Sequence, residues 1–280
     1  MTAIVLIDLI GISNRYIDRE MFVSPRQKKG LFQPRSGDQA ILQDDSRFRV
    51  FEPSLQLSGA RTSYFHSSLG GYHGAKPRRF EELFDYFSTH QIQGVMDMLN
   101  VKYLLFEEAS QQKVVDNPTA LGNAWTIDSL KVASSADDLL EQMKTLDFSN
   151  QALVLKNETP QNIPHRFNSD ATKEIYLISA KPTNLRYAFS ASEEQIVVFS
   201  EIYYPNGWYA EIDGKAVDHF PVNYVLRGML VPAGNHTINF RFEPQVINLG
   251  VNIRLIALLV FLVLVSSMVY DQIKKNPVQK

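Results

Sequence analysis

Cysteine is absent from all 280 residues, which excludes disulfide staples, thiolate nucleophiles and Cys-based zinc sites. An excess of either charge is also missing: 28 Lys and Arg stand against 30 Asp and Glu, for a net charge of −2. That balance, with no recognised basic module, gives nucleic acid no footing as a partner. The chain lacks a nucleophile elbow, a P-loop and a dinucleotide fingerprint, so the common signatures of hydrolases, NTPases and Rossmann enzymes are missing. His66 and His73 are seven apart with no acid between them, a spacing that suggests neither a metal nor a cofactor.

What the chain does have is a long apolar end. Residues 255–265 contain no polar side chain, and the apolar character continues to Tyr270 before Asp271, Lys274 and Lys275. From Leu249 to Tyr270 a helix would be about 33 Å long at roughly 1.5 Å per residue, close to the hydrocarbon thickness of a bilayer. Arg254 lies near the front of the segment, where a long cation can snorkel, and Tyr270 lies at the far interface. The competing reading is a buried core helix capped by Asp271 and the lysines. Under the membrane reading the short basic tail, 273–280, is cytoplasmic and everything before Val246 is extracytoplasmic; the absence of cysteine agrees with that.

At the other end, residues 3–12 are apolar but too short to span, are interrupted by Asp8, and lack the basic start and small-residue cleavage site of a signal peptide. They read as the stub of a membrane helix or as a buried first strand. With the stub reading, the chain is expected to be a piece or truncated product of a larger multi-pass protein.

Between these ends the pattern is α+β. Phe80, Leu83, Phe84 and Phe87 recur at i, i+3, i+4 and i+7, one apolar helix face, and the helical pattern continues over 93–99. Residues 101–106 and 152–155 read as strands, and Ser135 followed by Asp137 and Asp138 opens a helix with Leu139, Leu140, Met143 and Leu146 inward. From about Lys173 strands come at short intervals: 174–179, 185–191, 195–200, 208–212, 224–231 and 236–242. Asp213-Gly214 is a hairpin turn between two of them. The expected organisation is a helix stub over 1–13, a mixed α/β extracytoplasmic domain over 14–165, an antiparallel β-sandwich over 166–246, a transmembrane helix over 247–272 and a tail over 273–280.

Three groups of segments carry a resemblance: 63–80 (SYFHSSLGGYHGAKPRRF), 98–103 (MLNVKY) with 117–125 (NPTALGNAW), and 203–214 (YYPNGWYAEIDG) followed by 223–227 and 231–234. In order and spacing these resemble the C-terminal portion of the large bacterial YfhO-type membrane proteins. That family resembles glycosyltransferases of the GT-C kind, in which many membrane helices hold a polyprenyl-phosphate sugar donor and an outer domain helps form the acceptor side. The resemblance therefore implies, as partners, the lipid bilayer, a lipid-linked sugar, an envelope polymer and the upstream transmembrane part of the same protein. It implies a catalytic carboxylate in an early outer loop, beyond this chain, so no catalytic residue is assigned; a non-catalytic binding or assembly module is the alternative.

The candidate substrate-binding residues lie in the first segment: Tyr64, His66, Tyr72, His73, Lys76, Arg78 and Arg79, around Gly70-Gly71. Glycine permits close backbone approach, guanidinium groups fork onto phosphate, and aromatic faces pack on sugar rings, so a phosphate-linked sugar would use all three. The structural alternative is a turn, core rings and a solvated helix start. Tyr203, Tyr204, Trp208 and Tyr209 form a second aromatic group, open to carbohydrate contact or to core packing. The acidic pairs Glu81-Glu82, Glu107-Glu108 and Asp137-Asp138 read as solvated faces.

Overall fold

The computed structural model describes residues 2–17, 21–72, 74–108, 111–168 and 172–275. The chain divides into two units, Met1–Tyr72 with Tyr103–Asp116, and His73–Lys102 with Asn117–Lys280.

The first unit begins with α1 (Thr2–Tyr16), whose described apolar side chains, among them Val5, Leu6, Leu9 and Ile10, are exposed. The segment is therefore helical and the strand alternative falls away. After α2 (Pro25–Leu31) comes α3 (Ser36–Ile41), then β1 (Arg49–Phe51) and α4 (Ala60–Phe65). Two further strands, β2 (Val101–Glu108) and β3 (Gln111–Asp116), complete a three-stranded sheet in the order β1-β2-β3. Its small core is Ile41, Val50 and Leu105, with Phe48, Tyr103 and Val114 packed around them. The Tyr103 hydroxyl donates to Asp44 at 2.8 Å, and the Gln112 side chain accepts from the first backbone N–H groups of α3, so the helix start is satisfied by the sheet.

The second unit opens with α5 (Arg78–His90), where Leu83, Phe84 and Phe87 are buried as the apolar spacing requires, and α6 (Gln93–Met98). β4 (Ala124–Ile127) is followed by a parallel pair, β5 (Ser129–Ala133) and β6 (Gln151–Leu155), joined through α7 (Ala136–Met143). Ser135 caps α7, its hydroxyl accepting from the Asp138 N–H at 3.2 Å.

The remaining strands build a sandwich: β7 (Glu174–Lys181), β8 (Asn184–Ala191), β9 (Gln195–Ile202), β10 (Trp208–Ile212), β11 (Lys215–Val217), β12 (Phe220–Val222), β13 (Leu226–Val231) and β14 (Gly234–Phe242). One antiparallel sheet runs β11-β10-β14-β8-β7 and the other β12-β13-β9-β4. Alternate residues of β8, namely Leu185, Tyr187, Phe189 and Ala191, meet Val197, Phe199, Met229 and Val231 of the other sheet in one core. Tyr187, Phe199 and Phe240 make edge-on ring contacts there, with centroids 4.9 to 6.3 Å apart. Asp213 and Gly214 both take positive φ, 52° and 78°, as a tight hairpin turn demands.

Two features depart from the sequence pattern. β4 supplies an edge to the second sheet from ahead of residue 166, pairing Trp125 with Val198. Tyr224, expected at the start of a strand, instead forms a left-handed turn with Asn223, with φ of 70° and 48°. The reason is local bonding: the Asn223 N–H donates to Leu153 O at 2.7 Å and its side-chain oxygen accepts from the Leu153 N–H at 2.9 Å, pinning the turn to β6. The strand begins only at Leu226.

α8 (Gln245–Lys275) closes the described chain. From Gln245 to Asp271 it is long and apolar enough to cross a membrane, and an 18-residue stretch within it has mean hydropathy 2.4 and is nowhere buried. A core helix would be covered by protein, so the competing reading of this segment is set aside. The residues after Lys275, most of the expected basic tail, lie outside the described residues.

Candidate functional site

The candidate residues around Gly70-Gly71 fall into both units. Tyr64, His66 and Tyr72 belong to the first, Lys76, Arg78 and Arg79 to the second, and His73 lies outside the described residues.

In the first unit, Tyr64 projects from α4 with 61% of its surface exposed, its ring 5.1 Å from that of Phe32 and 4.9 Å from Phe65, and Tyr72 is fully outward. His66 is turned the other way. Its Nε2 lies 3.1 Å from Oδ1 of Asp38, a carboxylate with no exposed surface. The Arg61 guanidinium donates to Oδ2 at 2.6 Å and the Arg35 backbone N–H to the same oxygen at 2.8 Å. Burial by itself would raise the Asp38 pKa, but the hydrogen bonds from Arg61, Arg35 and His66 outweigh it and hold the carboxyl below its ordinary value. His66 thus serves an internal ionic cluster. Gly70 has a packing role too, since a Cβ there would sit 2.4 Å from the Gln56 carbonyl.

In the second unit, Pro77 precedes α5 and Arg78 and Arg79 form its first turn. Arg79 grips Glu158 with both terminal nitrogens, at 3.0 and 2.6 Å, and lies 5.5 Å from the centre of the Tyr224 ring. The Tyr224 hydroxyl donates to Glu82 at 2.6 Å, and Arg78, almost wholly exposed, reaches the other Glu82 oxygen at 2.7 Å. Burial and then the Glu82 carboxylate push the Tyr224 phenol up to about 12. The guanidinium fork is therefore filled by a protein carboxylate, tying the start of α5 to the turn after β6. Arg79→Gln should lower stability by about 1 to 2 kcal/mol, because the pair is bidentate but partly solvated, whereas Arg78→Gln should stay within about 0.5 kcal/mol. Thermal unfolding of the two variants checks this, and equal melting points would return Arg79 to a ligand-binding role.

A second arrangement is found where the sandwich meets α8. An open cleft of about 960 Å³ is bordered by the aromatic rings of Tyr203, Trp208 and Tyr209, by charged side chains of β10, β14 and the loop before β12, and by Gln245 and Asn248 in the first turns of α8. The ladder explains part of the convergence: Tyr209 lies directly opposite Arg241, and Glu211 opposite Asn239. Arg241 donates to Glu243 at 3.0 Å and also pairs with Glu211. The Tyr203 ring lies 5.4 Å from the His219 ring, and the Arg227 guanidinium covers a face of Trp208 at 4.0 Å.

Two buried polar atoms of the cleft residues, His219 Nε2 and Arg241 Nε, have no hydrogen-bond partner among the described residues. Burial, with the nearby Arg227 charge, pushes the His219 imidazole down to about 4, so it is neutral at physiological pH. A depressed histidine favours folding above its unfolded value of 6.5 and opposes it progressively as the pH falls toward about 4. The wild-type melting temperature should accordingly drop between pH 6.5 and 4, and His219→Gln should flatten that part of the profile. An identical slope in both proteins would show that another group carries the acid sensitivity.

The sequence pointed to Tyr203, Trp208 and Tyr209 as an aromatic group. As site residues it did not single out Glu211 of β10, Asp218 and His219 of the loop before β12, or Arg241 of β14. No curated protein and no solved structure matches the chain at a significant level. Residues 138–254 match the family model described as bacterial membrane protein YfhO, a stretch that contains every residue lining the cleft. With α8 long and apolar enough to span a bilayer, that match makes the C-terminal part of this chain a YfhO-type region and the protein membrane-associated.

Proposed function

We propose that this chain is the extracytoplasmic portion of a GT-C-type membrane glycosyltransferase, which uses a polyprenyl-phosphate-linked sugar to modify an envelope glycopolymer. α8 holds the outer part, residues 14–246, at the bilayer, with the tail on the cytoplasmic side. The catalytic carboxylate lies in the upstream transmembrane part of the same protein, and this chain supplies part of the sugar-binding surface. The observation that carries the reading is the cleft itself: three aromatic rings, unpaired polar atoms and two amide side chains meet at the first turns of a membrane-type helix, where a lipid-linked sugar would be presented.

The test is sugar transfer from a polyprenyl-phosphate sugar to envelope polymer in membranes carrying the full gene product. Trp208→Ala combined with Tyr203→Phe should reduce transfer about tenfold or more at equal protein level, the equivalent of ~1.4 kcal/mol of lost binding. Unchanged transfer would leave the chain as a membrane-anchored binding or assembly module. Because the native chain has no cysteine, sidedness can be read in the same cells: Lys215→Cys should react with an impermeant thiol reagent and Gln279→Cys should not.

A further inference from the structure

Resting on the reading of the cleft as a sugar site, we infer that it takes an uncharged sugar ring, and that it excludes the phosphate of a glycosyl phosphate. Charge is the first reason. Glu211, Asp218 and Glu243 line the cleft against a single lining cation, Arg241. That cation is already committed, its terminal nitrogens going to Glu211 and Glu243. A phosphate entering here would meet surplus carboxylate and no free guanidinium or ammonium group, the opposite of the forked cationic site that phosphate recognition uses.

Hydrogen-bonding capacity is the second reason. The buried atoms left without a partner among the described residues are His219 Nε2 and Arg241 Nε, and Tyr203, Gln245 and Asn248 line the cleft beside them. The set mixes donors with acceptors, and an imidazole nitrogen is either one according to tautomer. A sugar hydroxyl donates and accepts, so it can bond the Tyr203 hydroxyl and the rim amides in either role. The rings of Tyr203, Trp208 and Tyr209 supply apolar walls for the C–H faces of a pyranose, and the cleft volume falls in the usual range of small-molecule sites, ~300–1,000 Å³. The phosphate of a lipid-linked donor, or of a phosphate-bearing polymer, would have to stay outside the cleft.

The experiment compares methyl glycosides of glucose, galactose and N-acetylglucosamine with the matching sugar 1-phosphates, binding to the full chain in nanodiscs of neutral lipid, at low and high salt. At least one neutral glycoside should bind about tenfold or more tightly than its phosphate, and added salt should narrow the gap by screening the carboxylates. Asp218→Asn should narrow it as well, by strengthening phosphate binding. His219→Phe should weaken the neutral glycoside while the melting temperature at neutral pH is kept. Phosphates binding as tightly as the neutral sugars, or tighter, would overturn the inference while leaving a sugar site in place. No binding of either kind, with transfer still sensitive to Trp208→Ala, would overturn it and leave the proposed function standing. Tight neutral binding without any effect on transfer would instead remove the proposed function.

Discussion

Leu259→Arg together with Leu262→Arg should remove the chain from the carbonate-resistant membrane fraction. Both side chains are at least half exposed on α8, three residues apart on one face, inside a stretch with no charged residue between Arg254 and Asp271. An arginine near the bilayer centre costs about 2.5 to 3.5 kcal/mol on insertion scales, so the pair costs ~5 to 7 kcal/mol if the helix spans. In water the same change on an exposed helix face would be nearly neutral. Leu259→Ala with Leu262→Ala should leave fractionation unchanged. Retention of the double arginine protein in the membrane pellet would show that α8 is not the anchor.

α8 was legible because one physical demand, a bilayer-length apolar helix, writes itself into consecutive residues. The sandwich was nearly as legible, since burial of one sheet face imposes the alternation seen in β8, and the Asp213-Gly214 turn announces its own geometry. What local pattern could not show was non-local pairing. β4 is four residues long, and only its ladder to β9 places it in the sandwich. The same limit hid the Asn223-Tyr224 turn, whose partner is Leu153, 70 positions earlier.

The candidate site divides along the same line. A run of histidine, glycine, aromatic and cationic residues is informative about chemistry, but each type has a structural use that depends on distant partners. Asp38 occupies His66 and Glu158 occupies Arg79, and neither acid is near its partner in sequence. Tyr64 and Tyr72 remain outward, in the first unit. The cleft shows the converse: Tyr203, Trp208 and Tyr209 were conspicuous as a cluster of rings, while His219 and Arg241 acquire meaning only because their buried nitrogens lack partners. Unsatisfied polar atoms are a property of the folded chain and leave no mark in the sequence.

Asp38→Asn should unfold the first unit at a markedly lower temperature. The carboxylate is fully buried and accepts from the Arg61 guanidinium, the Arg35 backbone and His66, and a further Arg61 nitrogen is already buried without a partner. Neutralising Asp38 leaves the Arg61 guanidinium, 22% exposed, without its carboxylate, a loss of about 2 to 3 kcal/mol, which in a unit of this size corresponds to a drop of roughly 10 °C. His66→Gln removes one hydrogen bond and should cost roughly 1 kcal/mol. The two changes share a partner, so their effects should fall short of adding, by about 0.5 to 3 kcal/mol. The pH profile separates this from a simple packing loss. Because the folded pKa lies below the ordinary 3.8, the carboxylate stabilises the fold above that value and the contribution is lost as the pH falls below it. The wild type should therefore show an acid limb below about pH 4 that Asp38→Asn lacks. Hydrogen exchange of first-unit amides, read against pH, measures both effects. A variant as protected as the wild type at neutral pH would mean that the cluster does not hold this unit together, and would free His66 for the ligand role its segment first suggested.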